Sequence, residues 1–587
     1  VSRRTWGFFE RFVGPEDHWL PPDHFQEKPI GTVAHRTSPT NIGLLLTSTL
    51  AAYDLGYLDQ RTLAIRLATT LETLSQLERF RGHFLNWYDT ITLQPLNPRY
   101  VSTVDSGNLA ACLMITSQAC KNKRNETILR WNLWEGYLDS LGNLADGLNA
   151  IRKKDFDRQI KEIDALIKGI SNEILAARSH PENWYPLFLK VKGFFWQDIS
   201  NRLQQLITVG GSSFDLETLN KLQEFSRQIE QHNLAIERTI TELLPWIPLF
   251  ENPPRLFRQP QFSEAMNSLR SCLPYDLAFG QLHDQIERAS LYIEDLKDCL
   301  SEKSEASQAP EDSEESDRNI AWEWLNQLIT LLDHAEVNAN GMIAQYENIM
   351  AKSEQLMNEM DFGFLYNKQR HVFHIGLNLV TGQLDQNFYD LLASEARIAS
   401  IIAIAKGDVP QSHWMQLGRP ITRIKNLYVL LSWSGTMFEY LMPALFFHSY
   451  PATLLAESSE GAVLRQIEYG KEKGVPWGIS ESGFYRFDAS QNYQYRAFGV
   501  PGLGFKRGLA DDLVIAPYAS LMAVSYEPEA VVQNLVRLLE YKMFGLFGLY
   551  EAIDFTPDRL LKDERSALVY EYMAHHQGMI MMAMANF

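Results

Sequence analysis

The sequence predicts an all-α fold, a toroid of helices interrupted by a long helical insertion. Apolar residues recur mostly at the three- and four-residue spacing of helices, and alternating strand patterns are scarce. Loops rich in glycine and aromatic residues separate the helices towards both ends of the chain, whereas the middle carries longer apolar stripes. We therefore divide the chain into residues 1–124, 125–355 and 356–587, with the toroid formed by the first and last segments.

Segment 1–124 is predicted to contain helices with one loop rich in aromatic residues between them. Ser38 is suited to cap a helix whose first position is Pro39, and an apolar run follows. A second helix is predicted from about Arg61 to Phe80, and a loop follows from Gly82 to Asp89. This helix–loop–helix order is typical of a helical toroid.

The insertion, 125–355, is predicted to contain long helices with one apolar stripe each, as at a bundle seam. The stripes are Phe156, Ile160, Ile163, Ile167, Ile170 and Ile174 in one helix, and Leu282, Ile286, Ala289, Ile293, Leu296 and Leu300 in another. The run from Ser301 to Arg318 is rich in serine and acidic residues, so we expect a disordered acidic loop there. No chemistry is predicted for the insertion.

Segment 356–587 returns to helices separated by glycine- and aromatic-rich loops. Asp385 to Ile404 is predicted to be mostly helical, and Val463 to Gly470 to end another helix. Phe373 to Leu377 is the one short strand-like piece, because alternate residues share a face.

The composition excludes several function classes. A net charge of −18 argues against nucleic acid and anionic membrane surfaces as partners, and it suits a neutral polymer better than a polyanion. The four cysteines form no C-x-x-C pair and are expected to be reduced, buried thiols. No apolar run is long enough for a membrane span, and no signal peptide is evident. The apolar end of the chain suggests a domain cut from a longer polypeptide.

Glu481 is the strongest candidate for chemistry. It lies in the segment Trp477 to Gly483, among small residues and close to several aromatic ones. Burial in an aromatic setting raises the pKa of a carboxyl, which is how a protein makes a general acid at neutral pH. Aromatic faces beside carboxyls also suit sugar rings, so the segment suggests glycosidic chemistry. A capping or loop glutamate is the alternative.

Glu395 is the second candidate. In the predicted helix it shares an apolar face with Leu391, Leu392 and Ile398. A charge on an apolar stripe is costly unless it is paired or functional, so the alternative is a buried salt bridge.

Several further polar residues are weaker candidates. Glu439 and Glu551 are interpreted as structural groups or as residues that bind sugar hydroxyls. Asp89 and Asp105 lie in loops and could accept hydrogen bonds from sugar hydroxyls. His575 and His576 could line a pocket but point apart on a helix, so they are a poor metal pair. The glycine-rich run Gly502 to Gly508 has the wrong spacing for a nucleotide-binding loop.

Several segments together resemble the middle region of bacterial cyclic β-1,2-glucan synthases. The matching pieces include 35–43, 77–83, 86–89, 104–110, 391–400, 432–443, 476–482, 493–508, 550–557 and 572–578. The resemblance is strong there and weak across the insertion. It implies the glucoamylase-like cyclisation domain of such a synthase, an (α/α)6 barrel related to endo-β-1,2-glucanases.

The resemblance implies a reaction and a site. The reaction is closure of linear β-1,2-glucan into rings by transglycosylation with net retention, which needs two carboxyls. The hypothesis assigns Glu395 as nucleophile and Glu481 as acid/base, with direct proton transfer or a relay through a sugar hydroxyl or water. Neither a metal nor a cofactor is expected. The predicted substrate-binding residues are Arg36, Trp87, Tyr88, Asp89, Asp105, Asn108, Trp433, Glu439, Trp477, Tyr495, Arg496, Glu551, His575 and His576.

Two alternatives stay open at this point. One is an inverting endo-β-1,2-glucanase with Glu481 as acid and an aspartate as base. The other is a non-catalytic module that holds glucan for a synthase. The resemblance also implies glycosyltransferase and phosphorylase-like domains in the same polypeptide, and a soluble domain on the cytoplasmic side of an inner-membrane enzyme.

Overall fold

The structure is a computed structural model that describes residues 1–151, 156–210, 214–301 and 311–587. The chain forms two compact units. The first comprises Val1–Ala52, Ile65–Ala119 and Ile349–Phe587, and the second comprises Tyr53–Ala64 and Cys120–Asn348.

The fold is mainly helical, as predicted. The helices are α1 (Ser2–Phe12), α2 (Pro39–Asp54), α3 (Gln60–Gln76), α4 (Thr103–Asn122), α5 (Asn132–Ala150), α6 (Asp157–Ala176), α7 (Trp184–Lys190), α8 (Trp196–Gly210), α9 (Leu216–Leu243), α10 (Trp246–Glu251), α11 (Ser263–Cys272), α12 (Leu282–Ser301), α13 (Glu311–Glu359), α14 (Arg397–Lys406), α15 (Ser412–Gln416), α16 (Met437–Leu441), α17 (Leu454–Lys473), α18 (Pro517–Met522), α19 (Pro528–Glu540) and α20 (Ala574–Asn586).

Short antiparallel strands, which the all-α prediction omits, form most of the loops of the first unit. They are β1 (His24–Gln26), β2 (Thr32–Val33), β3 (Arg36–Thr37), β4 (Arg79–Phe80), β5 (His83–Phe84), β6 (Tyr88–Asp89), β7 (Tyr100–Ser102), β8 (Tyr366–Asn367), β9 (Val372–His374), β10 (Gly376–Asn378), β11 (Gln383–Leu384), β12 (Phe388–Tyr389), β13 (Ile421–Ile424), β14 (Leu427–Leu430), β15 (Ser482–Phe487), β16 (Tyr493–Arg496), β17 (Val514–Ile515), β18 (Phe544–Gly545), β19 (Gly548–Leu549), β20 (Ala552–Asp554), β21 (Ala567–Val569) and β22 (Glu571–Met573).

Two of these small sheets position side chains of the site described below. The sheet β2-β1-β22 pairs His24 with Met573 and Gln26 with Glu571. The hairpin β15-β16 pairs Gly483 with Tyr495. Strands of two to six residues are too short to show a period in the sequence, which is why alternation did not reveal them.

Several predicted helical features are confirmed. α2 begins at Pro39, and the Ser38 hydroxyl accepts a hydrogen bond from the amide of Asn41 at 3.2 Å, as a cap should. α17 ends at Lys473, close to the predicted end. The apolar stripes of the second unit are buried along α6 and α12. Removing one such isoleucine or leucine side chain from water contributes about 1.5–3 kcal/mol.

Other predictions are wrong. The helix expected from Asp385 to Ile404 begins only at Arg397, so Glu395 lies on the turn before α14 instead of on an apolar helix stripe. The piece Phe373 to Leu377 is divided between β9 and β10. Cys299 is exposed, whereas the other three cysteines are buried as expected.

The acidic loop expected at 301–318 is only partly testable. Residues 302–310 lie outside the described residues, while Ser301 ends α12 and residues 311–318 belong to α13. For 311–318 the prediction of a disordered loop is therefore wrong. Acidic and serine side chains do not prevent a helix that is continuous with a long apolar-striped one.

Candidate active site

A cavity of about 340 Å³ opens in the first unit and gathers both candidate carboxyls. Eight of the predicted site residues line it. They are Arg36, Trp87, Asp105, Asn108, Glu395, Glu481, Tyr495 and His575. Segments far apart in sequence thus converge on one polar hollow with aromatic walls.

The segment that carries Glu481 is held by two side-chain amides. The amide group of Gln466 donates to the carbonyl of Ile479 at 2.7 Å and accepts from its N–H at 2.8 Å. Asn534 makes the same pair of bonds with Trp477, at 2.8 and 2.9 Å. Because every one of these backbone groups is buried and satisfied, Glu481 projects from a rigid support.

Glu481 faces the cavity beside a tyrosine. The Tyr495 hydroxyl donates to its Oε2 at 3.4 Å, a consequence of the β15-β16 register. Tyr495 keeps 41% of its surface exposed because it borders the open cavity. A hydroxyl donor stabilises the ionised form of a carboxyl, so Tyr495 favours the charged state of Glu481.

Glu395 sits on a turn that a buried arginine fixes. The guanidinium of Arg397 donates to the carbonyls of Ser394 (3.0 Å), Glu439 (2.7 Å) and Tyr440 (2.7 Å). Burial lowers the pKa of Arg397 to about 10, which still leaves it charged at neutral pH. The Arg397 guanidinium therefore connects the turn that carries Glu395 to α16.

Burial and neighbouring charges raise the pKa of both carboxyls. Burial, then the charges of Glu481 and Glu439, raise the pKa of Glu395 to about 8. Burial and the charge of Glu439 raise the pKa of Glu481 to about 7, against the opposing effects of Tyr495 and Lys506. The charge of Glu481 adds to the effect of burial on Glu395, whereas Tyr495 and Lys506 favour the charged form of Glu481.

Glu439 is a satisfied buried carboxylate. It accepts hydrogen bonds from the amides of Trp433, Ser434 and Thr436 and from the hydroxyls of Ser432 and Thr436, at 2.8–3.2 Å. It is the third residue of α16 and closes a capping box with Thr436. Its role is to hold this loop and to place negative charge near the other two carboxyls.

A second polar cluster lines the cavity on β1 and β22. Asp23 accepts two bonds from Arg36 (3.1 and 2.9 Å), and His24 lies 3.2 Å from Asp23 and 3.4 Å from Glu571. Burial opposes ionisation of Asp23, but the bond from His24 and the charges of His24 and Arg36 prevail and lower its pKa to about 2. Burial raises the pKa of Glu571 to about 8. The bonds to Asp23 orient the Arg36 guanidinium, which remains half exposed at the cavity.

Asp105 provides a further carboxyl. Its Oδ1 accepts from the Thr40 hydroxyl at 2.6 Å, and its Oδ2 accepts from the amide of Asn86 at 2.8 Å when that amide is oriented to satisfy its neighbours. In this orientation Asn86 also accepts from the indole of Trp87 at 3.0 Å. Burial raises the pKa of Asp105. The chain of bonds holds Trp87 at the cavity wall.

His576 and Glu551 brace the site from behind. Glu551 accepts from the amide of Gly483 at 3.0 Å and is paired with His576 at 2.9 Å. The His576 ring stacks on Tyr518, with centroids 3.7 Å apart. Burial raises the pKa of Glu551 to about 7 and lowers the pKa of His575 to about 3. These groups position β15, and of the two histidines only His575 reaches the cavity lining.

The remaining predicted binding residues do not line the cavity. Tyr88 and Trp477 are buried, with exposures of 0% and 5%. Asp89 accepts bonds from the turn Ile91–Thr92, and Arg496 is paired with Asp512. Trp433 is half exposed outside the lining. Binding roles for these residues stay predictions that the geometry does not favour, Trp433 excepted.

Several lining residues were not among the sequence candidates. They are Asp23, His24, Ser38, Thr40, Asn41, Asn86, Val104, Phe438, Tyr493, Glu571 and Met573. Tyr493, Asn86 and Ser38 to Asn41 lie in the segments that carry the resemblance, which is the signal that could have found them. His24 and Glu571 lie in β1 and β22, Asp23 directly precedes β1, and no local pattern marks any of the three.

Among the described residues, no group of histidine, cysteine and acidic side chains is arranged to hold a metal ion. None of the described helices is both long and apolar enough to cross a lipid bilayer.

Part of the chain is similar to a known family. Residues 387–587, which include both candidate carboxyls, match the glycoamylase family model, described as a putative glucoamylase. This part of the chain is therefore glucoamylase-like.

The resemblance to glucan synthases is also confirmed. The chain is 33% identical over 592 residues to the cyclic β-(1,2)-glucan synthase NdvB of Rhizobium meliloti (strain 1021). The match covers 100% of this chain, which spans 17% of the length of that relative.

Solved structures resemble the fold. A putative glucoamylase of Bacteroides fragilis has a TM-score of 0.50 and 14% identity, over 100% of this chain and 89% of its own. An endo-β-1,2-glucanase from Chitinophaga pinensis has a TM-score of 0.49 and 12% identity, over 100% and 90%.

Proposed function

We propose that the glucoamylase-like domain closes linear β-1,2-glucan into rings by exchanging one β-1,2 bond for another with net retention. The observation that carries this proposal is that Glu395 and Glu481 line one cavity, where the charge of Glu481 raises the pKa of Glu395 and so favours its protonated form. A retaining mechanism needs one ionised and one protonated carboxyl. The substrate class follows from the 33% identity to a cyclic β-(1,2)-glucan synthase.

The electrostatics support roles opposite to those of the sequence hypothesis. Glu481, with the lower pKa and the Tyr495 hydroxyl beside it, is proposed as the nucleophile. Glu395, with a pKa of about 8, is proposed as the acid/base. A helical position would hold a nucleophile rigidly, but Glu395 precedes α14 and is not helical.

The proposed steps balance without water. The Glu481 carboxylate attacks C1 of a glucosyl unit, the bond from C1 to O2 of the next unit breaks, and Glu395 supplies the proton to that oxygen. The O2 hydroxyl at the non-reducing end of the same chain then attacks C1, its proton passes to Glu395, and the bond to Glu481 breaks. Delivery of the first proton through a sugar hydroxyl or a water is compatible with the same balance.

The full polypeptide context is part of the proposal. Because the chain spans 17% of its relative, we propose that glycosyltransferase and phosphorylase-like regions accompany it in a longer synthase, on the cytoplasmic side of the inner membrane.

The test is product analysis after incubation with linear β-1,2-glucan. We expect products without reducing ends that resist an exo-acting β-glucosidase, formed by the wild-type chain and not by Glu481→Gln. New reducing ends instead of rings would favour an inverting or retaining glucanase. Glucan binding without any bond exchange would favour a holding module, and either result would overturn the proposal.

A further inference from the structure

Two large aromatic side chains stand exposed beside the catalytic cavity. Trp433 and Phe505 are 50% and 47% exposed, and their ring centroids lie 5.9 Å apart. Aromatic rings of this size are normally removed from water, so a paired and exposed arrangement marks a binding surface. Phe505 belongs to the glycine-rich run Gly502 to Gly508, whose spacing excludes a nucleotide-binding loop. The sequence therefore assigns no function to this run.

The pair is held rigidly. The loops that carry the two rings are joined by backbone bonds from Ser432 to the carbonyl of Leu503 (3.0 Å), from Phe505 to Ser432 (3.1 Å) and from Lys506 to Trp433 (2.9 Å). The indole N–H of Trp433 also donates to Asp390 at 3.2 Å. A surface ordered in advance binds a ligand with a smaller loss of conformational entropy.

Gly504 explains why these loops can lie so close. A Cβ at this position would come within 2.6 Å of the backbone nitrogen of Gly435. Only glycine at 504 therefore allows the close approach that brings the two rings together. The glycine-rich run is thus used to build the aromatic surface.

The same loops reach the catalytic carboxyls. The amide of Trp433 donates to Glu439, whose charge acts on both Glu395 and Glu481. Lys506, which follows Phe505, carries a charge that acts on Glu481. The loops that carry the pair therefore also carry groups that act on the two carboxyls, although the pair itself lies outside the lining.

The size of the cavity requires such an extension. At about 340 Å³ it is at the lower end of the range of about 300–1,000 Å³ for small-molecule pockets. A polymer that folds back on itself must continue beyond a space of this size. Pyranose rings present C–H groups on their faces, which pack on aromatic rings without any charge on the sugar.

We propose that Trp433 and Phe505 form a platform for glucosyl rings remote from the bond that is exchanged. The inference rests on the proposed function, because it takes β-1,2-glucan as the ligand. Asp390, beside the indole, is placed to accept hydroxyls of the same rings. The platform contributes binding of long chains and not chemistry.

The test measures binding by calorimetry in the inactive background Glu481→Gln. In that background Trp433→Ala and Phe505→Ala should each weaken binding of a long linear β-1,2-glucan about tenfold, equivalent to about 1.4 kcal/mol. Binding of a β-1,2-linked trisaccharide should change by less than about twofold, because so short a chain is held in the cavity. In the active enzyme each substitution should raise KM for long glucan with little change in kcat.

Phe194→Ala is the matched control. It removes a 67% exposed member of another aromatic pair, in the unit that contributes none of the described lining residues. It should leave both affinities unchanged, and Trp433→Phe should restore most of the lost affinity.

Two outcomes would overturn the platform. One is unchanged affinity for long glucan in both Trp433→Ala and Phe505→Ala. The other is equal weakening for long glucan and trisaccharide, which would place the pair at the reacting bond. A wild-type chain that binds glucan but exchanges no bonds would overturn the proposed function alone, because the binding titration needs no turnover.

Discussion

Two buried-segment glutamates, Glu439 in α16 and Glu481 in a loop, have opposite surroundings. Glu439 follows a Trp-Ser-Gly sequence and Glu481 a Trp-Gly-Ile-Ser sequence, and both face the same region of the first unit. Glu439 is 6% exposed and its oxygens accept several backbone and hydroxyl bonds. Glu481 has one long bond from Tyr495 and opens onto the cavity.

The difference in hydrogen bonding distinguishes a structural carboxylate, Glu439, from a carboxylate that is free to act on a ligand, Glu481. A carboxylate whose acceptor sites are filled by its own loop has no capacity left for a substrate. A carboxylate held on a rigid segment with its oxygens facing a cavity keeps that capacity. The sequence already places Glu481 ahead of Glu439, and the hydrogen bonds of the two carboxyls give the physical reason.

The strongest test of this contrast is Glu481→Gln. We expect activity on linear β-1,2-glucan to fall by at least about 10⁴-fold, because the neutral amide cannot attack C1. The melting temperature should stay close to that of the wild type, since no structural bond depends on ionised Glu481. Rates come from product analysis and stability from thermal unfolding. Near wild-type turnover would remove Glu481 from the mechanism.

Glu395→Gly tests the assignment of roles. Loss of the acid/base should lower activity by about 10²–10⁴-fold. With an activated β-glucosyl donor, whose leaving group departs without a proton, added azide should restore turnover and give a β-glucosyl azide, because azide attacks the covalent intermediate on Glu481 from the face that Glu395 served. Glu481→Gly with azide should give the α-anomer. NMR identifies the anomer of each azide product. If Glu395→Gly gave the α-anomer and Glu481→Gly the β-anomer, Glu395 would be the nucleophile and Glu481 the acid/base, as the sequence hypothesis has it.

Glu439→Gln should act on stability. The amide group of glutamine presents donors to the backbone N–H groups that Glu439 now satisfies, so we expect the free energy of unfolding to fall by about 2 kcal/mol. Chemical denaturation of this variant and of Glu481→Gln gives a direct comparison. A stable Glu439→Gln variant with lost activity would show that Glu439 contributes more than support.

Tyr495→Phe should give the smallest change, seen in the pH profile. Wild-type activity should peak between about pH 7 and about pH 8, because Glu481 must be ionised and Glu395 protonated. Activity falls below this window as Glu481 gains a proton and above it as Glu395 loses one. Removing the Tyr495 hydroxyl destabilises ionised Glu481, so the acidic limb of kcat/KM should move to higher pH. An unchanged acidic limb would contradict the pairing.

Local patterns in the sequence were sufficient for part of this molecule. The isoleucine stripe of α6 and the Ser38 cap of α2 are read directly from spacing, because each depends on neighbours within one helix. Glu481 was found because aromatic and small residues surround it within a few positions. These features are local, and local rules describe them.

The features that the sequence does not predict depend on long-range contacts. Trp477 is predicted to bind substrate, but Asn534 holds its backbone and its ring is buried, so the geometry does not favour that role. Glu395 looked helical because Leu391, Leu392 and Ile398 have helical spacing, whereas the turn is fixed by Arg397 and the carbonyls of α16. Asp23 and Glu571 meet only because β1 pairs with β22. No periodicity encodes such pairings.

The short helix α16 is a common anchor for both carboxyls. Its carbonyls at Glu439 and Tyr440 receive Arg397, two positions from Glu395, and the amide of Phe438 donates to Ser480 at 3.0 Å, one position from Glu481. A movement of α16 therefore carries both turns in the same direction. The distance between the Glu395 and Glu481 carboxyls should therefore change little when the surrounding cavity wall moves, because both turns are bonded to the same helix.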